Sequence, residues 1–146
     1  MHRLMKTVAF VPVKLQNERL PGKNTKPFHN GDPLICYILR TLRKVDNLDK
    51  IYVYCSDPAI QTYLPEGVSW LARDPSLDSS STLILDVLHA FARDVYADIY
   101  VLAHATAPFI SCASVHTGLQ AVCSGEYDSA LTVKKLREFL WINGKP

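Results

Sequence analysis

The stretch that decides the fold is residues 6–33, "KTVAFVPVKLQNERLPGKNTKPFHNGDP". Its first part, residues 6–13, is a nearly continuous apolar run rich in Val, which is typical of a strand buried on both faces of a parallel sheet. About twenty residues without apolar periodicity follow, whereas most strand-to-helix loops have roughly 2–6 residues. At the end of this loop, Asp32 is predicted to cap a helix and Pro33 to occupy its first position.

Outside this stretch, predicted strands alternate with predicted helices. The first helix has apolar residues at helical spacing as far as Val45. Further strands are predicted at 50–56, 68–72, 98–105 and 129–135, and further helices at 57–64, 83–96 and 111–123, with Gly125 ending the last one. This alternation predicts an α/β fold, with helices on both faces of a mainly parallel sheet in a three-layer α/β/α arrangement.

Three polar loops follow predicted strand ends, at 14–31, 73–81 and 104–111. Ligands of open parallel sheets bind outside the carboxyl ends of the strands. We therefore expect these three loops to lie on one rim of the sheet and to form the candidate site.

Positive charge is concentrated in the first of these loops. Residues 14–26 contain four basic side chains and one acid, a net charge of +3, whereas the rest of the 146-residue chain has 12 basic and 13 acidic residues, a net charge of −1. Nucleic-acid-binding proteins usually carry basic residues over a whole face. The compact cluster instead favours a site for a small anion, and no apolar run approaches the roughly 20 residues of a membrane-spanning helix.

The four cysteines, Cys36, Cys55, Cys112 and Cys123, contain no C-x-x-C pair and lie in apolar segments. This pattern predicts buried, reduced thiols rather than disulfides or a zinc site, and it favours a cytoplasmic location.

The residue types of the opening loop suit the phosphates of a nucleotide. Lys14, Arg19 and Lys23 supply positive charge. Gly22 allows a close approach of the backbone, and Pro21 stiffens the turn. The alternative is a solvated basic loop, but the compactness of the cluster after a buried first strand favours anion binding.

Several motifs resemble those of the CMP-N-acetylneuraminic acid synthetase (acylneuraminate cytidylyltransferase) family. The six residues "RLPGKN" at 19–24 match the opening motif of that family without a gap, and "GDPLI" at 31–35 resembles its helix start. Weaker similarities follow in the same order along the chain, in "VYCSD" (53–57), "LARDPSLDSSST" (71–82) and "VLAHATAPF" (101–109).

The resemblance implies a nucleotide-diphospho-sugar transferase (Rossmann-like) fold and a nucleotidyl transfer. In this reaction an acidic, sialic acid-like sugar attacks the α-phosphorus of CTP, and CMP-sugar and pyrophosphate are formed. It further implies Mg²⁺, with ligands beyond the end of this chain, and a role in cell-surface polysaccharide biosynthesis. No membrane or nucleic-acid partner is expected, and a homodimer is compatible with the resemblance. Positioned cations would supply most of the catalysis, because charge builds on the phosphoryl oxygens and the leaving pyrophosphate.

The resemblance also implies roles for individual residues. Lys14 and Lys23 match the catalytic, phosphate-contacting basic residues, and Arg73 matches an arginine of the base-binding loop. The implied nucleotide-binding set is Lys14, Arg19, Gly22, Lys23, Asn24, Arg73, Ser80 and Ser81. His104 takes the place of a sugar-side glutamine, and with Thr106 it forms the implied substrate-binding set.

Some positions depart from the family pattern. Leu15 and Gln16 replace small residues, Glu18 stands where a lysine is common, and Ile110 replaces an arginine that would suit the carboxylate of an acidic sugar. Asp57 and Asp74 are available carboxylates, but both are first interpreted as helix or turn caps. The nucleotide half of the resemblance is therefore stronger than the sugar half.

Two alternatives remain at this point. One is a non-catalytic nucleotide-binding or scaffold protein derived from the same fold, and the other is a nucleotidyltransferase acting on a sugar 1-phosphate. The end of the chain, "FLWINGKP" at 139–146, has an Asn-Gly hairpin signal with no returning strand after it. We therefore expect residues 1–146 to form a single nucleotidyltransferase domain that lacks its C-terminal part.

Overall fold

The computed structural model describes residues 5–17 and 19–135. The strands are β1 (Thr7–Pro12), β2 (Lys50–Cys55), β3 (Val68–Ala72) and β4 (Ile99–Leu102). The α-helices are α1 (Leu34–Leu42), α2 (Ile84–Asp94) and α3 (Cys112–Cys123). Two 3-10 helices span Pro58–Tyr63 and Pro75–Asp78.

The four strands form one sheet in the order β3-β2-β1-β4, and every neighbouring pair is parallel. Strand β1 is central, so that Ala9 lies opposite both Ile51 of β2 and Val101 of β4. Its residues Thr7 to Val11 are buried, as the unbroken apolar run predicts for a strand covered on both faces. The predicted parallel α/β sheet is confirmed.

Helices cover both faces of the sheet. Successive residues of a strand point to opposite faces, and β1 accordingly contributes Ala9 and Val11 to one core and Val8 and Phe10 to the other. The first core is completed by apolar residues of α1 and α3, and the second by those of α2. This gives the predicted three layers.

The start of α1 differs from the prediction. Pro33 is the N-cap, in an extended conformation, and no side chain caps the helix. Asp32 instead accepts two hydrogen bonds of 2.6 Å from the guanidinium of Arg40, two turns further along α1. A bidentate bond between charged groups is stronger than a bond from a neutral backbone N–H, which explains why the carboxylate turns towards Arg40. The helix also ends earlier than predicted, at Leu42, and Val45 is buried beyond it.

The predicted strand at 129–135 is wrong. No strand is assigned to these residues, and Leu131 and Val133 are exposed by 85% and 83%. An apolar run forms a strand only when a neighbour accepts and donates its backbone hydrogen bonds, and β4 pairs only with β1 in the described part of the chain. Two features of the sequence lie outside the described residues: the hairpin signal at 139–146, and Glu18, which stands where the family commonly has a lysine.

Other boundaries shifted without a change of order. The helix predicted at 57–64 is the first 3-10 helix, which Asp57 caps by accepting a hydrogen bond from the backbone N–H of Ala59. The strand predicted at 98–105 is limited to β4. Helix α3 has Ser111 as its N-cap, and Gly125 follows its end with a φ of 78°, as its sequence predicts.

All four cysteines are free thiols, but the prediction that all four are buried is wrong. Only Cys55 is fully buried, and the other three are partly exposed. Burial raises the pKa of the Cys36 and Cys55 thiols. Among the described residues, no helix is long and apolar enough to cross a membrane.

Candidate nucleotide site

A cleft of about 650 Å³ opens at the carboxyl ends of the strands. Residues after β1 (Lys14 to Asn17, and Pro21), residues after β2 (Ser56 and Asp57) and Asp78 after β3 line it. Three consecutive strand ends therefore meet there, which is where ligands of parallel sheets bind. Two of the three loops predicted to share a rim, 14–31 and 73–81, are brought together.

The opening loop is ordered by side-chain amides. The amide nitrogens of Asn17 and Asn24 both donate to the backbone carbonyl of Lys14, at 3.0 Å and 3.2 Å. Asn24 is buried, and its backbone carbonyl accepts a hydrogen bond from the backbone N–H of Ile35 at the start of α1. Asn24 therefore joins the end of β1 to the first turn of α1, and it fixes the backbone that carries Lys14.

Gly22 makes the turn within this loop possible. Its φ is 67°, in the left-handed region that glycine adopts without steric cost. Its carbonyl accepts hydrogen bonds from the N–H groups of Thr25 and Lys26. The loop thus turns back beside Pro21, which lines the cleft, and Lys23 next to Gly22 is half-buried.

A polar network closes the cleft on the side of β3. Arg73 is buried, with a side chain only 4% exposed, and it forms an ion pair with the carboxylate of Asp78. The hydroxyl of Ser56 donates to the other carboxylate oxygen of Asp78. Lys14 Nζ donates to the backbone carbonyl of Asp78 at 3.1 Å. Asp78 thus contacts one residue after each of the strands β1, β2 and β3.

Two buried polar atoms in this region lack a hydrogen-bond partner among the described residues: Oδ1 of Asn24 and Nε of Arg73. The pairing with Asp78 nonetheless neutralises the Arg73 charge. Of this pair, only Asp78 lines the cleft, whereas Arg73 is buried and is not a lining residue.

The predicted site residues are distributed unevenly. Lys14 lines the cleft, and Asn24 and Arg73 are buried next to residues that line it. Arg19 is exposed on the opening loop, and Ser80 and Ser81 are exposed just after Asp78. His104 and Thr106 are exposed in the loop after β4 and do not line the cleft.

The exposure of His104 bears on an alternative role. A histidine at the end of a buried strand is often only a core residue whose hydrogen bonds are satisfied internally. In that role His104 would be buried under Phe109. Phe109 is 92% exposed and His104 is exposed as well, so His104 is not a core residue in this structure. Its carbonyl accepts a hydrogen bond from Ala107, which turns the loop after β4.

Three residues that line the cleft were not predicted from the sequence: Asn17, Ser56 and Asp78. Asp57 and Asp74 were predicted as caps, and the structure confirms both, because each carboxylate accepts a backbone hydrogen bond two residues on. A signal for Asp78 was present: an acid five residues after a rim arginine, in a short loop, is a natural ion-pair partner.

The described residues do not form a metal site by themselves. No group of three His, Cys, Asp or Glu side chains within the described ranges is arranged to hold a metal ion. Asp57 and Asp78 line the cleft, but backbone and side-chain donors already engage them.

Comparisons with known proteins agree with this geometry. A family model described as cytidylyltransferase matches residues 8–141. The 3-deoxy-manno-octulosonate cytidylyltransferase 2 of Hydrogenovibrio crunogenus is 25% identical over 134 residues, which are 90% of this chain and 53% of that protein. The CMP-N,N'-diacetyllegionaminic acid synthase of Legionella pneumophila is 31% identical over 114 residues, 72% of this chain and 48% of that protein.

Solved structures give the same picture. The CMP:2-keto-3-deoxy-manno-octonic acid synthetase complexed with CTP superposes with a TM-score of 0.70 at 26% identity, over 82% of this chain and 48% of that chain. A cytidylyltransferase from Leptospira borgpetersenii has a TM-score of 0.63 at 20% identity, over 84% and 50% of the two chains. This chain spans about half the length of the curated relatives that it matches. With its parallel sheet and its cleft at the strand ends, the chain belongs to the cytidylyltransferase family.

Proposed function

We propose that this protein takes part in the transfer of CMP from CTP to an acidic sugar, with release of pyrophosphate. The observation that carries the proposal is the cleft at the strand ends, lined by Lys14, in a chain of the cytidylyltransferase family. The relatives named above act on 3-deoxy-manno-octulosonate and form CMP-N,N'-diacetyllegionaminic acid, and both names describe an acidic sugar.

The chemistry asks for positive charge around a triphosphate. A sugar hydroxyl attacks the α-phosphorus and loses its proton to water, the bond from the α-phosphorus to the bridging oxygen breaks, and pyrophosphate leaves with the electron pair of that bond. Lys14 lines the cleft, and Lys23 follows Pro21, which also lines it, by two residues. In this proposal both lysines act as fixed cations that stabilise the developing negative charge. Mg²⁺, which the family resemblance implies, would when bound neutralise further phosphate charge.

The acceptor is proposed as a sialic acid-like sugar. The support is the "RLPGKN" and "GDPLI" motifs together with the relatives that make CMP-linked acidic sugars. His104 and Thr106 are proposed on the sugar side because they follow the end of β4, the strand beside β1, and are exposed to an incoming ligand.

Pyrophosphate release tests this proposal. The protein is incubated with CTP, Mg²⁺ and, in separate reactions, 3-deoxy-manno-octulosonate, N,N'-diacetyllegionaminic acid and N-acetylneuraminic acid. We expect release with at least one of these acids and none with a sugar 1-phosphate. Release with a sugar 1-phosphate alone would contradict the proposal. Binding of CTP without release from any acceptor would instead support a non-catalytic nucleotide-binding protein.

Lys23 gives a second test at the phosphate end. Lys23→Ala should weaken CTP binding by about 1.5–3 kcal/mol, the cost of losing a hydrogen bond from a charged group. Isothermal titration calorimetry measures this directly. Lys44→Ala is the matched control, because Lys44 is an exposed lysine after the end of α1. Equal CTP affinities for the wild type and Lys23→Ala would remove the phosphate role of Lys23.

A further inference from the structure

Asp78 has three hydrogen-bond partners at the cleft, as many as Lys14, although it is not among the residues predicted for the site. Its carboxylate receives the guanidinium of Arg73 and the hydroxyl of Ser56, and its backbone carbonyl receives Lys14 Nζ. These partners lie 5, 22 and 64 residues away in the sequence and follow three different strands. No motif of the opening loop accounts for this residue.

The side chain and the backbone of Asp78 have separate tasks. The carboxylate is anchored on both oxygens, by the buried Arg73 and by Ser56 at the end of β2. This anchoring fixes the position of residue 78 in the second 3-10 helix. The carbonyl of the same residue is then a fixed acceptor for the Lys14 ammonium at the cleft wall.

A held lysine suits the binding of a phosphate better than a free one. A free lysine side chain loses rotamer entropy when it binds, up to about 2 kcal/mol, and an ammonium already held in place loses less of it. A carbonyl oxygen carries no net charge, so it places Lys14 without cancelling the positive charge. In contrast, the negative charge of the Asp78 carboxylate is paired with the guanidinium of Arg73.

We propose that Asp78 is a positioning residue for nucleotide binding: its carboxylate, braced by Arg73 and Ser56, holds its backbone carbonyl where it fixes the Lys14 ammonium in the cleft. This inference rests on the proposed function for its ligand, CTP, but the placement of Lys14 is a property of the protein alone. Arg73 is in this account a brace and not a phosphate ligand.

A double-mutant cycle in CTP binding tests the inference, with calorimetry on the wild type, Lys14→Met, Asp78→Asn and the double variant. Each single change should weaken CTP binding, Lys14→Met by about tenfold, or about 1.4 kcal/mol. The double variant should be little weaker than Lys14→Met, because once Lys14 is gone its positioning has no further value. Effects that multiply would overturn the proposal, since they would show that Asp78 acts independently of Lys14.

Controls separate positioning from general loss of structure. Glu66→Gln removes an exposed carboxylate just before β3, at the opposite end of that strand, and should leave CTP affinity unchanged alone and combined with Lys14→Met. Ser56→Ala removes one brace without leaving a buried charge unpaired, so it covers the case in which Asp78→Asn does not fold. It should show the same non-additivity with Lys14→Met, and additive effects would again count against the proposal.

Chemical labelling tests the placement of Lys14 without any nucleotide. Brief reductive methylation followed by peptide mass spectrometry reports how freely each lysine reacts. Methylation of Lys14 should rise by about threefold in Ser56→Ala or Asp78→Asn, because a released side chain samples solvent more often, while Lys44 should not change. Unchanged Lys14 reactivity in both variants would refute the positioning role, whether or not the protein binds CTP. Raised reactivity without CTP binding by the wild type would refute only the proposed function.

Discussion

At the scale of single residues, the partly buried ion pair between Arg73 and Asp78 links the geometry of the site to the stability of its loop. Arg73 is almost wholly enclosed, whereas the Asp78 side chain keeps 32% of its exposure. A buried cation is tolerated when a carboxylate pairs with it, and removal of that partner leaves an uncompensated charge. The same pair that shapes the cleft therefore also makes this loop vulnerable to single substitutions.

Asp78→Asn should lower the free energy of unfolding by about 3 kcal/mol, at the low end for a broken buried pair because Asp78 is partly exposed. Urea denaturation followed by circular dichroism measures the change. Arg73→Met combined with Asp78→Asn should recover part of the loss, because no buried charge then remains. A double variant less stable than Asp78→Asn alone would contradict this explanation.

Tyr54 gives a prediction for alkaline pH. Burial, and then its hydrogen bond of 2.6 Å to Asp94, raises the pKa of the Tyr54 hydroxyl above its ordinary value near 10. A group whose pKa is raised on folding contributes stability below its unfolded pKa and loses it as the pH rises towards its folded pKa. The free energy of unfolding should therefore fall above about pH 10 more steeply in the wild type than in Tyr54→Phe. Parallel pH profiles for the two proteins would show that Tyr54 is not the group responsible.

At the scale of elements, the packing of α2 on the sheet depends on Phe91. Its ring stacks on Phe10 of β1 with centroids 4.1 Å apart, and the rings of Tyr52, Tyr54 and Tyr100 meet its ring at steep angles. One helix side chain thus contacts β1, β2 and β4. This contact joins three strands to a single helix.

Phe91→Ala should therefore destabilise the protein by about 3–5 kcal/mol, as expected for a large aromatic side chain removed from a core. Thermal and urea unfolding both report this change. Phe109→Ala is the matched control, because the same substitution at a side chain that is 92% exposed should change stability by less than about 0.5 kcal/mol. Similar losses for the two variants would argue against α2 packing as the main contribution of Phe91.

The sequence predicted elements where the local pattern was sufficient. Strand β1 was predictable because a short, Val-rich, nearly continuous apolar run is typical of a strand buried on both faces of a parallel sheet. The start of α1 was not, because Asp32 bonds to Arg40, a partner eight residues away, instead of to the nearby backbone. The segment 129–135 has a strand-like composition, but strand formation depends on a neighbour that a local pattern does not reveal.

The site also combines residues that a local pattern predicts with residues that depend on distant contacts. Lys14 was predictable from its place after β1 and from the resemblance around "RLPGKN". For Asp78 the local sequence offers only its ion pair with Arg73, five residues earlier. Its contacts with Ser56, 22 residues earlier, and with Lys14, 64 residues earlier, were not predictable. Such contacts exist only after the sheet has brought three strand ends together.

At the scale of the whole molecule, the parallel order β3-β2-β1-β4 gathers dispersed polar residues at one edge. At the cleft on that edge, the Lys14 ammonium from the first loop donates to the backbone carbonyl of Asp78, a residue of a later loop whose carboxylate is held by Arg73 and Ser56. The described part of this chain reproduces the fold of cytidylyltransferases over more than four-fifths of its length. Whether a nucleotide occupies this cleft is therefore the decisive question about its function.

A crystal structure of the protein with CTP tests this central claim most directly. We expect density for CTP in the cleft between Lys14, Ser56 and Asp78, with the triphosphate in contact with the Lys14 ammonium and next to the turn at Gly22. We also expect Arg73 to keep its ion pair with Asp78 and not to contact a phosphate. CTP bound on another surface, or an empty cleft in crystals that hold CTP elsewhere, would contradict the account.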